Sequence, residues 1–434
     1  MRGPRASALL LAATLGVALF SCSRAADGGT WARALLLSRE AEVARRAGDT
    51  DGWIAKATEA AELRPDNPEF HAQRAAALAA ADRADDAVAA LRRIAAAGLH
   101  PSGALTEFPA ALRGRKDYQD VAKVLTANLL PRGGGEVAFS LRDVTGAIEA
   151  MAADPATGEL YFGDGVRRAV WVRAKDGALR RFSAETDDLL GVTGLAWDER
   201  RGAVWAATAA LPGMAGSDGA TAGRSNLVEL DAATGVVRRV WAFAPTENET
   251  HELRGVAVAP DGAVWVADRA ARCLWRLRDG GGKPERAASD AEWLAPRGVT
   301  VLADGTVIVG DETSGLHRVD PANGNAGAIE LPANGSLTGL TGLTGDGESV
   351  YVLQGETRPT RVLRATLEPG GAAVSRLTVL EAGHLAMSAP AAACWSGRGE
   401  LFFVGNAGWG RVQSGPSAPR PVPVFRTKLP GAGR

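Results

Sequence analysis

Two arginines, Arg254 and Arg297, occupy the same position in two neighbouring copies of a repeated phrase, and each is followed by Gly-Val. A guanidinium group is a rigid fork of donors that binds a carboxylate or a phosphate through paired hydrogen bonds. Two such groups side by side also raise the local potential, which attracts anions. The pair predicts a site for a small acidic ligand. Glu149, in the first copy, would orient a hydroxyl or ammonium group of that ligand from across the site.

Polar residues also recur where the second apolar run of each copy ends, at Asp164, Thr208, Asp268, Asp311, Gln354 and Asn406. Asp268 and Asp311 have two interpretations. They cap turns by accepting backbone hydrogen bonds, or they pair with Arg254 and Arg297 and neutralise them. In the second case the arginines belong to a closed polar ring that only joins neighbouring repeats.

Trp409 follows Asn406 closely, at a place where we expect an exposed face. An aromatic ring there would stack on a sugar or a peptide, and the alternative is packing in the core. The predicted ligand-binding set is therefore Glu149, Arg254, Arg297, Asp268, Asp311, Asn406 and Trp409.

Motifs of several common enzyme classes are missing from the chain. It contains no GxSxG, HExxH, GxxxxGK or CxxC sequence, so it lacks support for nucleophile-elbow, zincin and P-loop chemistry. The formal net charge of −1 also argues against a nucleic-acid partner. Cys273 and Cys394 belong to different repeats, and we interpret them as buried thiols that act as small hydrophobes.

The repeated phrase is clearest in RGVAVAPDGAVWVAD, which begins at Arg254. Apolar runs that alternate with period two and are separated by Asp-Gly turns predict antiparallel strands. Six copies are present, and the residue that opens their second strand falls at Tyr161, Trp205, Trp265, Ile308, Tyr351 and Phe402. A period of roughly 40–50 residues is typical of four-stranded propeller blades. The sequence therefore predicts a six-bladed β-propeller over residues 136–429.

The last copy contains only three evident strands, whereas Val137–Arg142 alternates but has no blade of its own. An open ring would expose unpaired backbone groups at its edge. We therefore predict that Val137–Arg142 is the outer strand of the last blade. The connections 209–225 and 244–253 are long, and we expect both on the face where the innermost strands begin.

Residues 30–130 have helical periodicity, with Ala, Leu, Glu and Arg dominant. The predicted helices are 31–46, 51–63, one that starts at Asn67-Pro68, 85–97 and 116–130. Such pairs fit a small tetratricopeptide-like domain, although Arg74 stands where an apolar residue is usual. This domain either binds a peptide or caps the propeller and binds nothing. Residues 131–135, Pro-Arg-Gly-Gly-Gly, are predicted to be a flexible linker without packing of its own.

Residues 1–22 have the pattern of a signal peptide, with Arg2 and Arg5 ahead of an apolar run. The run ends Leu-Phe-Ser-Cys, which predicts lipidation of Cys22. The alternative is ordinary cleavage near Ala25-Ala26. We expect an exported protein that is either periplasmic or a membrane-anchored lipoprotein, with no contact with the membrane other than the lipid.

The helical region followed by IEAMAADPATGELYFGD, LRGVAVAPDGAVWVAD, PRGVTVLADG and FFVGNAGW resembles exported SMP-30/gluconolactonase/LRE-like propeller proteins. The resemblance covers nearly all of the chain after the signal peptide. It implies a divalent cation such as calcium at the channel mouth, held by an acidic residue that opens the first blade and by Asn or Asp residues that open later blades. The matching positions here are Glu149, Thr193, Arg254, Arg297, Thr341 and about Ala391.

Only Glu149 keeps an oxygen ligand of the kind that this family uses, and two arginines in the ring would repel a cation. The leading hypothesis is therefore a cell-envelope binding or scaffold protein with no cofactor, whose partner is an envelope protein or a small acidic ligand. The alternative is a metal-dependent hydrolase of the sugar-lactonase type, with calcium at Glu149. The sequence does not decide whether the protein is an enzyme.

Overall fold

The computed structural model describes residues 29–142, 146–409 and 421–429. Within these ranges the chain forms a six-bladed β-propeller preceded by a small helical region. Cys22 and the predicted signal peptide lie outside the described residues. In the described part of the chain, no helix has both the length and the apolar character needed to cross a membrane.

The helical region contains six helices: α1 (Thr30–Ala47), α2 (Thr50–Leu63), α3 (Pro68–Ala80), α4 (Ala84–Ala96), α5 (Ala110–Arg113) and α6 (Lys116–Asn128). The five predicted helices are confirmed to within two residues at each end, and only the short α5 was missed. Local chemistry explains the boundaries. Asn67 caps α3 by accepting from the backbone N–H groups of Glu69 and Phe70, and Pro68 fills the first turn. Gly98, with φ of 70°, follows the end of α4.

Each blade is an antiparallel sheet of four strands, to which blade 5 adds a fifth. Blade 1 contains β3 (Ile148–Ala153), β4 (Leu160–Asp164), β5 (Ala169–Arg173) and β6 (Leu179–Arg181). Blade 2 contains β7 (Gly191–Asp198), β8 (Ala203–Ala209), β9 (Ser225–Asp231) and β10 (Val237–Phe243). Blade 3 contains β11 (Leu253–Val258), β12 (Val264–Asp268), β13 (Cys273–Leu277) and β14 (Glu285–Ser289).

The second half of the ring repeats this plan. Blade 4 contains β15 (Pro296–Val301), β16 (Val307–Asp311), β17 (Gly315–Val319) and β18 (Ala326–Ala328). Blade 5 contains β19 (Leu340–Gly345), β20 (Ser349–Gln354), β21 (Arg361–Leu367) and β22 (Val374–Ala382). Blade 6 contains β23 (Ala393–Trp395), β24 (Glu400–Val404), β25 (Val422–Lys428) and β2 (Glu136–Leu141). The six predicted blades are confirmed.

The predicted closure of the ring is also confirmed, because β2 pairs antiparallel with β25 and becomes the outer strand of blade 6. Phe139 on β2 packs edge-on against Phe162 of blade 1, with 6.3 Å between the ring centroids. The Arg173 guanidinium of blade 1 lies 3.9 Å from the centre of the Phe139 ring. The closing strand therefore joins blade 6 to blade 1 as well as completing its own sheet.

The segment predicted to be a free linker is instead held against the propeller. Its residues Arg132–Gly133 form β1, a fifth strand that pairs with β22 at the outer edge of blade 5. The backbone N–H groups of Gly134 and Gly135 donate to the Glu381 carboxylate. Glycine is required here because a Cβ on Gly133, whose φ is 123°, would collide with Glu381. The expectation of high backbone freedom was therefore wrong.

The core lies between blades, as two clusters of buried side chains illustrate. Trp205 of blade 2 packs with Val256, Val264 and Val266 of blade 3. In the same way Trp265 of blade 3 packs with apolar residues of blade 4. Cys273 and Cys394 are buried free thiols, as predicted, and burial raises the pKa of each to about 12.

A glycine follows the residue that opens the innermost strand in blades 2 to 5, at Gly194, Gly255, Gly298 and Gly342. A Cβ on Gly194, Gly255 or Gly298 would collide with the innermost strand of the next blade, and one on Gly342 with Ala391, just before that strand. Hydrogen-bond register also shifts beside the opening residue, for example between Leu253 and Val256 and between Pro296 and Gly298. Such bulges re-aim side chains. Together they bring the innermost strands close and turn the opening side chains toward the mouth of the channel.

The helical region docks on the face of the propeller where the innermost strands begin. At one end, the backbone N–H of Trp31 and the hydroxyl of Thr30 donate to Glu292, which precedes blade 4. At the other end, the buried Arg361 of blade 5 donates to the carbonyl oxygen of Ala97 over 2.8 Å, and the backbone N–H of His100 donates to Arg358. These contacts place the helices over blades 4 and 5.

Candidate functional site

The side chains at the mouth of the channel form a closed ring of alternating charges, which we call the mouth cycle. Three glutamates and three arginines take part, in the order Glu149, Arg254, Glu252, Arg269, Glu312 and Arg297. Their formal charges cancel. Arg254 and Arg297 stand side by side, as predicted, and Glu149 reaches both of them from across the channel.

Glu149 is the centre of this cycle. Its Oε2 accepts from Arg254 Nη1 at 3.0 Å and from Arg297 Nη2 at 3.4 Å. Its Oε1 accepts a short hydrogen bond from the indole nitrogen of Trp409. The side chain is only 3% exposed. Both carboxylate oxygens are therefore occupied by donors and shielded from solvent.

The remaining contacts of the cycle come from residues next to the predicted ones. Arg254 Nε donates to Glu252 over 2.7 Å, and Arg297 Nη1 lies 3.4 Å from Glu312 Oε2. Arg269 Nη2 lies 3.5 Å from Glu312. Burial opposes ionisation of Glu252, but Arg254, Arg269 and Arg297 together hold the pKa of its carboxyl below the ordinary value. Burial likewise opposes the charge of Arg254, yet Glu252 and Glu149 raise its pKa.

Trp409 is half-buried. Its ring packs beside Leu211 and Met214, which belong to the long connection between β8 and β9. That connection and the one between β10 and β11 both lie on the mouth face, as predicted. Trp409, Leu211 and Glu149 meet beside Gly165. The described contacts of Trp409 therefore fit the core-packing alternative better than stacking on a ligand.

Asp268 and Asp311 do not pair with Arg254 and Arg297, so that interpretation was wrong. Asp268 accepts from the backbone N–H groups of Glu252 and Ala271 and from the side chains of His251 and Trp275. Asp311 accepts four backbone N–H groups, from Leu294, Ala295, Thr313 and Ser314. The turn-capping interpretation is confirmed for both, because the backbone donors lie closer than any guanidinium.

The other residues at the ends of second strands have similar local partners. Gln354 donates to the carbonyl oxygens of Ser336 and Thr338. Asn406 donates to Ser388 over 2.6 Å and accepts from the backbone N–H of Gly408. These residues tie the loops of one blade together, and the structure does not direct them toward the mouth cycle.

Two further openers of innermost strands are also occupied structurally. Thr193 of blade 2 donates to the carbonyl oxygen of Leu253 in blade 3 over 2.6 Å. Thr341 of blade 5 donates to the carbonyl oxygen of Pro390, which precedes blade 6, over 2.5 Å. These two hydrogen bonds join neighbouring blades at positions equivalent to those of Arg254 and Arg297.

Behind the mouth cycle runs a channel of about 340 Å³, lined by the innermost strands of all six blades. Glu149, Arg254 and Arg297 lie at one end. Trp197 and Trp395, both half-buried, lie at the other and stack on Tyr161 and Tyr351 respectively.

The side chains at the mouth do not fit a divalent cation. Calcium needs six or more oxygen ligands, several of them carboxylates or amides. Here the Glu149 oxygens already accept from Arg254, Arg297 and Trp409. Among the described residues, no cluster of three or more His, Cys, Asp or Glu side chains has a metal-binding arrangement.

Sequence reasoning missed Glu252, Arg269 and Glu312. Arg269 and Glu312 each follow directly after a turn-capping aspartate, Asp268 and Asp311. That shared offset between neighbouring blades was the available signal, because a residue just after the second strand returns to the mouth face.

No family model matches the chain, and no curated protein matches it. Solved structures of similar fold include a virginiamycin B lyase from Staphylococcus aureus, with 14% identity, 63% of this chain and 82% of that chain covered, and a TM-score of 0.41. A gluconolactonase from Xanthomonas campestris has 17% identity, covers 67% of this chain and 88% of its own, and gives a TM-score of 0.45.

A luciferin-regenerating enzyme is similar at the same level, with 14% identity, 67% of this chain and 94% of that chain covered, and a TM-score of 0.46. The likeness concerns the fold alone. It says nothing about which chemistry the mouth of this propeller carries out.

Proposed function

We propose that the chain is an exported cell-envelope protein that binds or scaffolds a partner. The observation that carries this proposal is the mouth cycle. It leaves Glu149 without a free oxygen at the position where the SMP-30-like resemblance implies a metal ligand. Residues that do not fit a cation would not hold the Lewis acid on which a metal-dependent hydrolase relies. A small acidic ligand would have to displace a glutamate from Arg254 or Arg297 before it could bind there.

The second candidate is a metal-dependent hydrolase of the sugar-lactonase type. A gluconolactonase is among the proteins of similar fold, which keeps this candidate in view although fold does not fix chemistry. For this activity Glu149 would have to leave both arginines and bind the metal. The two candidates therefore differ in what Glu149 does.

Metal content and lactone turnover separate the two candidates. The purified protein, with calcium or zinc added and then removed by gel filtration, is expected to retain less than one ion in ten molecules and to turn over none of a panel of sugar lactones. Stoichiometric metal together with turnover that is lost in Glu149→Gln would establish the hydrolase instead. Glu400→Gln, a change of a partly exposed glutamate in blade 6, is the matched control.

Export and partner binding need a separate test in cells. We expect a lipid on Cys22 in mass spectra of the membrane fraction. A photo-crosslinking residue at Leu36 or Val43, exposed apolar positions on α1, is expected to capture one defined envelope protein, whereas the same residue at Val236 on the propeller is not. Unlipidated Cys22 would contradict anchoring. Equal capture at all three positions would contradict a partner that contacts the helices.

A further inference from the structure

Arg74 and Arg93 lie beside a cleft between α2, α3 and α4 that belongs to neither the mouth cycle nor the channel. The cleft has a volume of about 420 Å³. A second cavity, of about 320 Å³, continues from it to the loop between blades 4 and 5, and Arg93 lines both. The two cavities therefore lie where the helical region meets the propeller.

Arg74 is the residue that departs from the apolar pattern of the helical repeat. Its side chain is half-buried, and its Nε is fully buried with no hydrogen-bond partner among the described residues. A buried donor without a partner destabilises the folded protein. A bound ligand with an acceptor atom would satisfy this donor and remove that destabilisation.

His71 lines the same cleft and is 95% buried, since only 5% of its surface is exposed. Its Nε2 faces the carbonyl oxygen of Pro65 at 3.0 Å, and its Nδ1 has no partner within the described residues. Because Nε2 donates to Pro65 and burial lowers the pKa of the imidazole, Nδ1 of His71 is an acceptor. Among the described residues that line the cleft, Arg74 Nε is therefore a buried donor without an acceptor.

Arg93 supplies a second guanidinium without a carboxylate partner in the described part of the chain. Arg93 Nη1 donates to the side-chain oxygen of Asn334 over 3.4 Å. Three carboxylates line the two cavities. Asp66 pairs with Arg64, Asp86 pairs with Arg83, and Glu62 is exposed to solvent. Arg74 and Arg93 are therefore available to an external anion.

We propose that Arg74 and Arg93 form an oxyanion-binding site in the helical region. Guanidinium groups bind carboxylate and phosphate oxygens through paired hydrogen bonds. The half-buried position of Arg74 strengthens that attraction, and the exposed Arg93 lies at the rim of the cleft. The oxyanion is either free in solution or carried by an acidic segment of the partner protein. The proposal rests on the proposed binding function, which it deepens by naming the chemistry that the helices recognise.

Isothermal titration of the purified full-length protein with inorganic phosphate and with a hexaglutamate peptide tests this site. The double variant Arg74→Gln/Arg93→Gln is expected to weaken binding at least tenfold. The control Arg39→Gln/Arg92→Gln removes the same charge from exposed arginines of α1 and α4 that line neither cavity, and it is expected to change affinity less than twofold.

Binding of phosphate alone would assign a free oxyanion, and tighter binding of the peptide would assign an acidic segment. No binding of either probe at 10 mM, a limit of about 2.7 kcal/mol, would overturn the proposal, as would equal losses in both double variants. Arg93→Gln alone, at an exposed position, is expected to fold normally and to weaken binding at least threefold. An unchanged affinity in that variant also counts against the site.

The crosslinking experiment keeps this proposal separate from the proposed function. Partner capture that persists in Arg74→Gln/Arg93→Gln would overturn the oxyanion site as the recognition element and leave the scaffold function standing. Oxyanion binding without any captured partner would support the oxyanion site and contradict the scaffold function.

Discussion

Each guanidinium of the mouth cycle meets two carboxylates, so removal of one glutamate leaves every arginine with a remaining partner. Glu149 nevertheless has the largest effect on the cycle, because it contacts both Arg254 and Arg297 and is the least exposed member. Buried ion pairs are costly to break, since the surviving charge keeps its desolvation penalty without its full compensation.

We predict that Glu149→Gln lowers the free energy of unfolding by about 2 kcal/mol. This is less than the ~3–5 kcal/mol of a fully orphaned buried charge, because Arg254 and Arg297 keep Glu252 and Glu312. Urea denaturation at pH 7 measures it. Glu136→Gln, which breaks an exposed pair with Arg426, is the control and is expected to leave the midpoint unchanged. Equal midpoints for the two variants would show that the mouth cycle does not stabilise the ring.

The closing strand β2 is the element on which the ring depends, because it lies 290 residues or so before its partner strand in the chain. Its pairing with β25 removes the open edge of blade 6. Phe139 adds contacts to blade 1, whereas Val137 on the same strand is 40% exposed. The apolar contacts of β2 with the rest of the ring therefore come from Phe139 and from Leu141, which is 2% exposed.

We predict that Phe139→Ala destabilises the protein by about 2 kcal/mol, since the half-buried ring loses its contacts with Phe162 and Arg173. Val137→Ala is the control and is expected to have a much smaller effect. Limited proteolysis provides a second measurement, and only Phe139→Ala is expected to speed cleavage near residue 135. Equal cleavage of both variants would mean that the Phe139 ring does not hold β2 in place.

At the scale of the whole molecule, a propeller residue caps the first helix and so joins the helical region to the propeller. Helix α1 begins at Thr30 after Gly29, which has no capping side chain, and Glu292 of the propeller binds the first turn instead. A carboxylate at a helix N-terminus also interacts favourably with the helix dipole. Burial opposes ionisation of Glu292, but Thr30, Trp31 and Arg64 hold its pKa below the ordinary value.

We predict that Glu292→Gln speeds amide hydrogen exchange in the first turn of α1 at pH 7 and leaves the blades unchanged. A carboxyl with a lowered pKa stabilises the folded state above its ordinary pKa, about 4.3, and loses that contribution as the pH falls. The wild-type domain contact should therefore weaken in acid, and the variant should lose that pH dependence. Glu59→Gln, which breaks an exposed pair with Arg33, is the control. A variant that retains the wild-type pH profile would assign the docking to Arg361 and Arg358 instead.

Local patterns were sufficient for the elements of this protein. Period-two alternation and Asp-Gly turns predicted six blades, and helical periodicity predicted the five longer helices, because both signals arise between residues close in the chain. The closing strand was predictable as well, since an unpaired edge and a strand without a blade have one economical solution. The adjacent placement of Arg254 and Arg297 followed from their equivalent positions in neighbouring blades.

Only the tertiary structure decided which charges meet. Asp268 and Asp311 were available to the arginines by position, but backbone N–H groups of their own turns lie closer and satisfy them. Glu252 pairs with Arg254 and Glu312 pairs with Arg297 instead. The Gly-rich segment predicted to be a linker is held on blade 5 by hydrogen bonds to Glu381. The sequence by itself determined the blades, their order and the face on which polar residues gather. Partner choice among those residues depends on ångström-scale distances across the channel, which no local pattern encodes.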